Sequence, residues 1–442
     1  MKKIRVENFR CFEKQEIIFA DKINVLIGDN SSGKTSVLNA CKYVLSAFFA
    51  GFSDENTKWI NPSNNDFRTI VNESGVELPE KPIIIEFCCD KNFAEHFGSQ
   101  MFDNLFVLQK NSKKNSKALT SGIKDFKTHT SYIHSNLYDK NNLRQYPLPV
   151  FSYFSTEDIH KPRKINSKQF LSYTNKPSFG YYECLEGNGL FDFWLKRLLA
   201  LKEAQKNTLE IDIVIRALID VLGNNGCNII KDVHIRPNVK KVYFEFIDSR
   251  EVEASLLSDG YKRLANIVID IAFRCAILNR ELFKEETAKK CFGTVIIDEL
   301  DMHLHPALQT TIIKGLKNAF PNIQFIISTH APMILSSIEN NDDNTIHKLT
   351  YSKENGYDIS EEVTYGKDAS NIIETILDQS PRDINVNYEI SKLFDLIDND
   401  KLDEAKKYLI KMKVKFGDTL PELFKAETMI NFLEISDNDK NN

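Results

Sequence analysis

The stretch Gly28-Asp29-Asn30-Ser31-Ser32-Gly33-Lys34-Thr35 constrains this chain more than any other. It follows the apolar run Ile23-Asn24-Val25-Leu26-Ile27. It precedes Val37, Leu38, Ala40, Cys41, Val44 and Leu45, which recur at helical spacing. Strand, glycine-bearing loop and helix in this order make a phosphate cradle. The glycines let the backbone turn so that successive N–H groups point at phosphate oxygens, at the positive end of the helix. In that setting the loop from Gly28 through Ser36 would bind a nucleotide, Lys34 would neutralise the β and γ phosphates, and the Thr35 hydroxyl would bind Mg²⁺. The pattern implies an α/β core and a nucleotide such as ATP, and leaves the class of nucleotide-binding protein open.

Composition narrows the setting. A chain of 442 residues that is 42% hydrophobic has enough apolar material for two or three domains with real cores. Lys2, Lys3, Arg5 and Glu7 interrupt any leader-like apolar region after Met1, and no apolar run reaches the roughly 18 residues a membrane helix needs. A cytoplasmic protein with no membrane partner is expected. Cys11, Cys41, Cys88, Cys89, Cys184, Cys227, Cys275 and Cys291 form no C-x-x-C pair or zinc spacing, which points to reduced, mostly buried thiols. A net charge of −5 excludes a wholly basic nucleic-acid binder but leaves room for a local basic surface.

Two more constellations extend the site. In Thr294-Val295-Ile296-Ile297-Asp298-Glu299, β-favouring residues end in two adjacent acids, as expected for a buried strand delivering carboxylates to the carboxyl edge of a sheet. Asp298 would hold Mg²⁺, and Glu299 would polarise the attacking water. Phe325-Ile326-Ile327-Ser328-Thr329-His330 ends a neighbouring strand on a histidine suited to sense the γ-phosphate. Upstream, Leu257-Ser258-Asp259-Gly260-Tyr261-Lys262-Arg263 reads as a helix start, with Ser258 and Asp259 as candidate caps. Its alternative use is to bind, through Ser258, Asp259 and Gly260, a γ-phosphate carried by a second subunit.

Together these residues resemble the RecF/SMC-like, OLD-like branch of ABC-type ATPases. The resemblance rests on Gly28 to Thr35, Leu257 to Arg263, Asp298-Glu299-Leu300-Asp301 with His303-Leu304-His305-Pro306, Ser328 to Pro332, and the opening Ile4 to Arg10. Within that branch the chain is similar to PtuA-type ATPases of Septu and related retron antiphage systems, through Leu257 to Tyr261, Phe320 to Phe325 and Thr364 to Asp368. The resemblance implies a mixed sheet flanked by helices, a head-to-head homodimer or higher homo-oligomer, and hydrolysis of ATP with Mg²⁺. It further implies a partner HNH nuclease of the PtuB type. A retron reverse transcriptase with its msDNA, and direct nucleic-acid contact, are further partners consistent with it.

The expected organisation is a first core part over residues 1–90 and a sheet-edge region with an insertion over 91–250. The second core part, with signature, acid pair and switch histidine, spans 251–365, and a helical region spans 366–442. Gln109 is the candidate for the glutamine that such ATPases carry between the core halves. His303 and His305 lack a third ligand and are read as packing and dimer-loop residues. Two other readings compete. An OLD-like nuclease would need a second acid cluster, but Glu354-Asn355-Gly356 reads as a turn and Asp398-Asn399-Asp400 as a break between helices in a stretch after His330 that looks largely helical. A repair ATPase of the SMC type would need long heptad arms, which are absent from the sequence.

Overall fold

A computed structural model of the chain describes residues 1–69, 82–89, 104–112, 118–119, 121–156, 176–187, 189–205 and 207–440. The run Lys113 to Lys117 falls outside them. The chain divides into two compact units, Met1–Ile372 and Ile373–Asn442.

The first unit opens with β1 (Lys3–Phe9) and β2 (Phe12–Ile18), an antiparallel pair that joins β4 (Ile83–Cys88) and β5 (Phe106–Lys110) in a four-stranded sheet of order β2-β1-β4-β5. The strand alternation buries Ile4, Val6, Ile83 and Ile85 on one face and leaves Arg5, Glu7 and Glu86 on the other, where Arg5 pairs with both acids. Between these strands run β3 (Ile23–Gly28) and helix α1 (Lys34–Ser46).

The main sheet has the order β13-β12-β3-β11-β10-β6. Its members are β6 (Val150–Phe154), β10 (Gly293–Ile297), β11 (Ile323–Ser328), β12 (Asn344–Ser352) and β13 (Gly356–Glu361), with β3 inside it. All pairings are parallel except β12 with β13. Val25, Leu26, Ile27, Val295, Ile296, Ile297, Phe325, Ile326 and Ile327 are fully buried, the continuous apolar pattern of strands covered on both faces. The carboxyl ends of β3, β10 and β11 therefore lie along one edge.

The region between Asp90 and Arg250 is more regular than its polar text suggests. It holds α2 (Lys124–Ser135), α3 (Phe191–Glu203) and α4 (Thr208–Leu222), besides β7 (Ile230–Arg236) and β8 (Lys241–Phe246), which form an antiparallel sheet with β9 (Glu251–Glu253) just after it. Helices α3 and α4 pack on α5 (Asp259–Phe283), the longest helix of the first unit, and Trp194 stacks on Phe273 with ring centroids 4.8 Å apart. Helix α6 (Ile312–Ala319) lies against α4.

The stretch after His330 is not mainly helical at first: the β12–β13 hairpin extends the main sheet before any long helix begins. The sequence reading missed this because β12 owes its conformation to pairing with β3, more than 300 residues away. Glu354-Asn355-Gly356 is the hairpin turn, with Gly356 at φ 71°.

The second unit is three helices, α7 (Ile384–Asp398), α8 (Leu402–Phe416) and α9 (Pro421–Lys440). Ile390, Leu393, Ile397, Ala405, Leu409, Met412, Leu423, Ala426 and Ile430 form its own core. Asp398-Asn399-Asp400 lies between α7 and α8. Among the described residues no helix is long and apolar enough to cross a membrane.

Candidate functional site

The phosphate loop is shaped by close approach. Gly28 has φ 141° and Gly33 φ 103°, both in the region L-residues avoid. A Cβ on Gly28 would sit 2.1 Å from the Leu349 carbonyl oxygen, and one on Gly33 would sit 2.5 Å from Cζ of Phe12. Ser31 is also left-handed at φ 71°, and the Ser32 N–H donates to the Asp29 carbonyl at 3.1 Å, closing the turn. Helix α1 then starts with no side-chain cap and no acid in its first turn, so its first N–H groups and dipole remain open to an anion. The Ser32 hydroxyl is buried and has no hydrogen-bond partner among the described residues. An orphaned hydroxyl inside a cradle that any Cβ would fill fits a phosphate oxygen.

Lys34 folds back over the loop, its ammonium donating to the carbonyls of Gly28 at 2.7 Å and Asp29 at 2.9 Å. Burial lowers its pKa from the usual lysine range, opposed by the carboxylates of Asp298, Glu299, Asp29 and Asp301. The charge field at Lys34 thus comes from Asp29 of its own loop and from the acids after the end of β10.

Those acids are held by β11. Ser328 Oγ donates to Asp298 Oδ1 at 2.5 Å and accepts from the Glu299 N–H at 2.7 Å. Asp298 is buried, while Glu299 is half-buried and left-handed at φ 50°, which turns its side chain out of the strand line. Thr329 Oγ1 and the His330 N–H both donate to Asp301 Oδ1. Because β11 lies between β3 and β10, His330 stands at the strand end between the loop and the acid pair. The structure thus brings Lys34, Asp298, Glu299 and His330 to one edge.

Ser258 is treated differently. It is the N-cap residue of α5, yet its exposed hydroxyl makes no cap bond. Gly260 lies so close to the loop after the acids that a Cβ there would be 2.3 Å from the His303 carbonyl oxygen. Among the described residues no hydrogen bond or ion pair joins Ser258 to Gly260 with the loop of the same chain. His305 caps the short helix Pro306–Gln309 by accepting from the Ala307 N–H at 3.2 Å.

A neighbouring cavity of about 570 Å³ was not evident in the sequence. Arg10, Phe12, Arg68, Tyr351, Asn355 and Tyr357 are among the residues that line it. It adjoins the loop: Phe12 covers Gly33, and the Cys11 thiol donates to Ser36 Oγ at 3.6 Å. Tyr357 meets Phe12 edge-on at 5.5 Å and Tyr351 at 4.7 Å. Arg10 is fixed by the buried Asp66, to which its Nε donates at 2.6 Å. The cavity flanks β3 on the side of β12, opposite β11 and β10. The available signal was Arg10-Cys11-Phe12 at a tight turn, where Arg10 has φ 50°.

Gln109 does not join this site. It lies on β5 in the other sheet, and its amide donates to Asn111 at 2.7 Å. Strand pairing rather than loop position governs it, because Gln109 pairs with Ile84. As for metal, among the described residues no group of three or more His, Cys, Asp or Glu is arranged to hold an ion. Thr35 and Asp298 supply two oxygen donors, a set suited to Mg²⁺ that is shared with phosphate.

Comparison with known proteins gives the family and the relatives of the chain. A family model described as "AAA domain, putative AbiEii toxin, Type IV TA system" matches residues 23–336. The chain is 26% identical over 401 residues to the "Retron Vc95 probable ATPase" of Vibrio cholerae serotype O1 biovar El Tor, covering 79% of this chain and 74% of that protein. It is 24% identical over 398 residues to the "Retron Ec83 probable ATPase" of Escherichia coli, covering 76% and 69%. A shorter match to the "Septu protein PtuA" of Bacillus mycoides is 38% identical over 99 residues, 22% of this chain and 13% of that protein.

Proposed function

This chain belongs to the AAA-domain family matched over residues 23–336, and from that premise we propose that it is an ABC-type ATPase, the ATP-hydrolysing subunit of an antiphage complex, Septu-like or retron-associated. The observation that carries the reading is the shared edge where Lys34, Asp298, Glu299 and His330 face one phosphate cradle. Lys34 and the loop N–H groups from Gly28 to Ser36 bind the phosphates, and Thr35 and Asp298 take Mg²⁺. Glu299 orients and deprotonates water, with His330 at the γ-phosphate. The purine and ribose extend into the Arg10–Tyr357 cavity, away from the acids.

The subunit works as a homodimer. The uncapped Ser258 hydroxyl and the first N–H groups of α5 complete the γ-phosphate site of a second copy. ATP turnover then controls a separate HNH nuclease docked on the Ile373–Asn442 helices, while this chain does no cutting. That unit has its own core and still exposes Ile384, Tyr388, Ile410, Val414, Phe424 and Phe432, an apolar surface well matched to a protein partner. A chain ending at Asp378 is expected to bind ATP but to lose both co-purification with the nuclease and protection against phage. Retained nuclease binding by that shortened chain, or metal-dependent DNA cleavage by the full chain alone, would refute the assignment.

A further inference from the structure

Helix α5 carries a buried polar row along one face: Arg263, Asn266, Asp270 and Arg274, at spacings of three and four residues. Both ends of the row are fixed. Asp270 accepts from Ser152 Oγ on β6 at 2.7 Å, from Trp194 Nε1 at 2.7 Å and from Arg274 Nε at 2.6 Å, while Arg274 also donates to the Gly180 carbonyl at 2.7 Å. At the other end Arg263, fully buried, donates through Nη2 to the carbonyl of Asp298 at 2.7 Å and through Nη1 to Met302 Sδ at 3.6 Å. The guanidinium thus holds the backbone just before Glu299 through the Asp298 carbonyl and touches the Met302 side chain just after it.

Asn266, between these anchors, is the exception. It is 0% exposed, and among the described residues neither its amide nitrogen nor its oxygen has a hydrogen-bond partner. Buried amides are rarely left wholly unpaired, and one that is calls for a reason in how the protein works. Its position supplies one. About one turn of helix separates Asn266 from Arg263, and Arg263 lies less than one further turn from Gly260 and about one and a half turns from Ser258, where α5 starts. A small tilt of α5 about the Asp270–Arg274 anchor would move the Asn266 amide, Arg263 and the Ser258 end together. The same tilt would shift the Asp298–Glu299 backbone through the guanidinium.

We infer that Arg263 and Asn266 are positioning residues that give α5 a second seat on the sheet. In that seat the Asn266 amide is hydrogen-bonded, and the seat is selected when Ser258 meets the γ-phosphate held by the other subunit. Occupation of one nucleotide site thereby sets the geometry of Glu299 in the other. The inference rests on the proposal that Ser258 acts in trans.

The test uses the full chain and the near-isosteric Asn266→Leu, with Arg263→Lys as the conservative companion. ATP hydrolysis is followed against ATP concentration, together with nucleotide affinity and melting in the absence of nucleotide. The parent is expected to hydrolyse cooperatively, with a Hill coefficient approaching the site number of about two. Asn266→Leu is expected to melt no lower than the parent, because it removes an unpaired amide. It should bind nucleotide within about twofold of the parent, hydrolyse about tenfold more slowly and have a Hill coefficient near one. Arg263→Lys, which keeps a donor for the Asp298 carbonyl, should fall between. A parental rate and Hill coefficient in Asn266→Leu, a lower melting temperature for it, or a non-cooperative parent would overturn the inference. Ser258→Arg separates the two levels. Parental hydrolysis in that variant defeats the trans site itself, whereas its inactivity alongside an unchanged Hill coefficient in Asn266→Leu defeats the coupling alone.

Discussion

Ser328→Ala is the perturbation whose effect can be worked from the geometry most directly. Ser328 Oγ bonds both to Asp298, at Oδ1, and to Glu299, at its N–H. The bond to the carboxylate is charge-assisted and contributes about 1.5–3 kcal/mol, and the bond from the backbone N–H about 1 kcal/mol. Glu299 also sits at φ 50°, a conformation that costs roughly 1–2 kcal/mol for a residue with a Cβ. Alanine removes one oxygen and little packing, so the loss falls on the placement of the acid pair. If about 2 kcal/mol of it is felt when water attacks, turnover drops about 30-fold, since 1.36 kcal/mol is a factor of ten. Lys34 and the loop N–H groups are untouched, so nucleotide affinity should stay within about twofold. Phosphate release gives the rate and a fluorescent-nucleotide titration the affinity. Turnover within about twofold of the parent would refute the idea that Ser328 positions Glu299, and a tenfold loss of affinity would show that the bond serves binding instead.

Other substitutions separate the remaining roles. Glu299→Gln should bind ATP with little turnover, and Lys34→Ala should lose nucleotide binding; parental turnover in the glutamine variant would remove Glu299 from the chemistry. Mixing Ser258→Arg with Lys34→Ala subunits should restore part of the hydrolysis, because each mixed dimer holds one site with neither lesion. Tyr357→Ala should weaken nucleotide binding with little change in the rate at saturation, and an unchanged affinity would exclude the cavity as the nucleoside site. The lowered pKa of Lys34 sets the sign of a pH effect: ATP affinity should fall as pH rises through a value below the usual lysine range, as the ammonium is lost. Nucleotide-free stability should rise between that pKa and the unfolded value, because there the unfolded chain binds more protons. Lys34→Met should abolish both trends.

What could be read in advance depended on how much of each feature lies in one stretch of chain. The phosphate cradle is made of backbone N–H groups from consecutive residues and needs glycine where φ is positive, so Gly28 and Gly33 announce it. The acid pair is equally local, ending a run of β-favouring residues whose burial needs no partner sequence to be inferred. The Ser258 helix start was legible too, although only the structure shows that its hydroxyl leaves the helix uncapped. Helices α3 and α4 carry Trp194, Leu198, Val214 and Leu218 at helical spacing, but their polar surroundings obscured that signal.

The Arg10–Tyr357 cavity was illegible for a different reason. Its walls come from three segments, near residues 10–14, 68–69 and 351–357, that no motif links. What unites them is register. Leu349 pairs with Gly28, so β12 runs past the end of β3 and carries Tyr351 beyond the phosphate loop, while the β1–β2 turn brings Arg10 and Phe12 to the same place. A one-residue slip of β12 would send Tyr351 to the opposite face of the sheet and remove a wall of the cavity. The phosphate half of the site therefore depends on local sequence, and the other half on a strand pairing across more than 300 residues that only the folded chain makes visible.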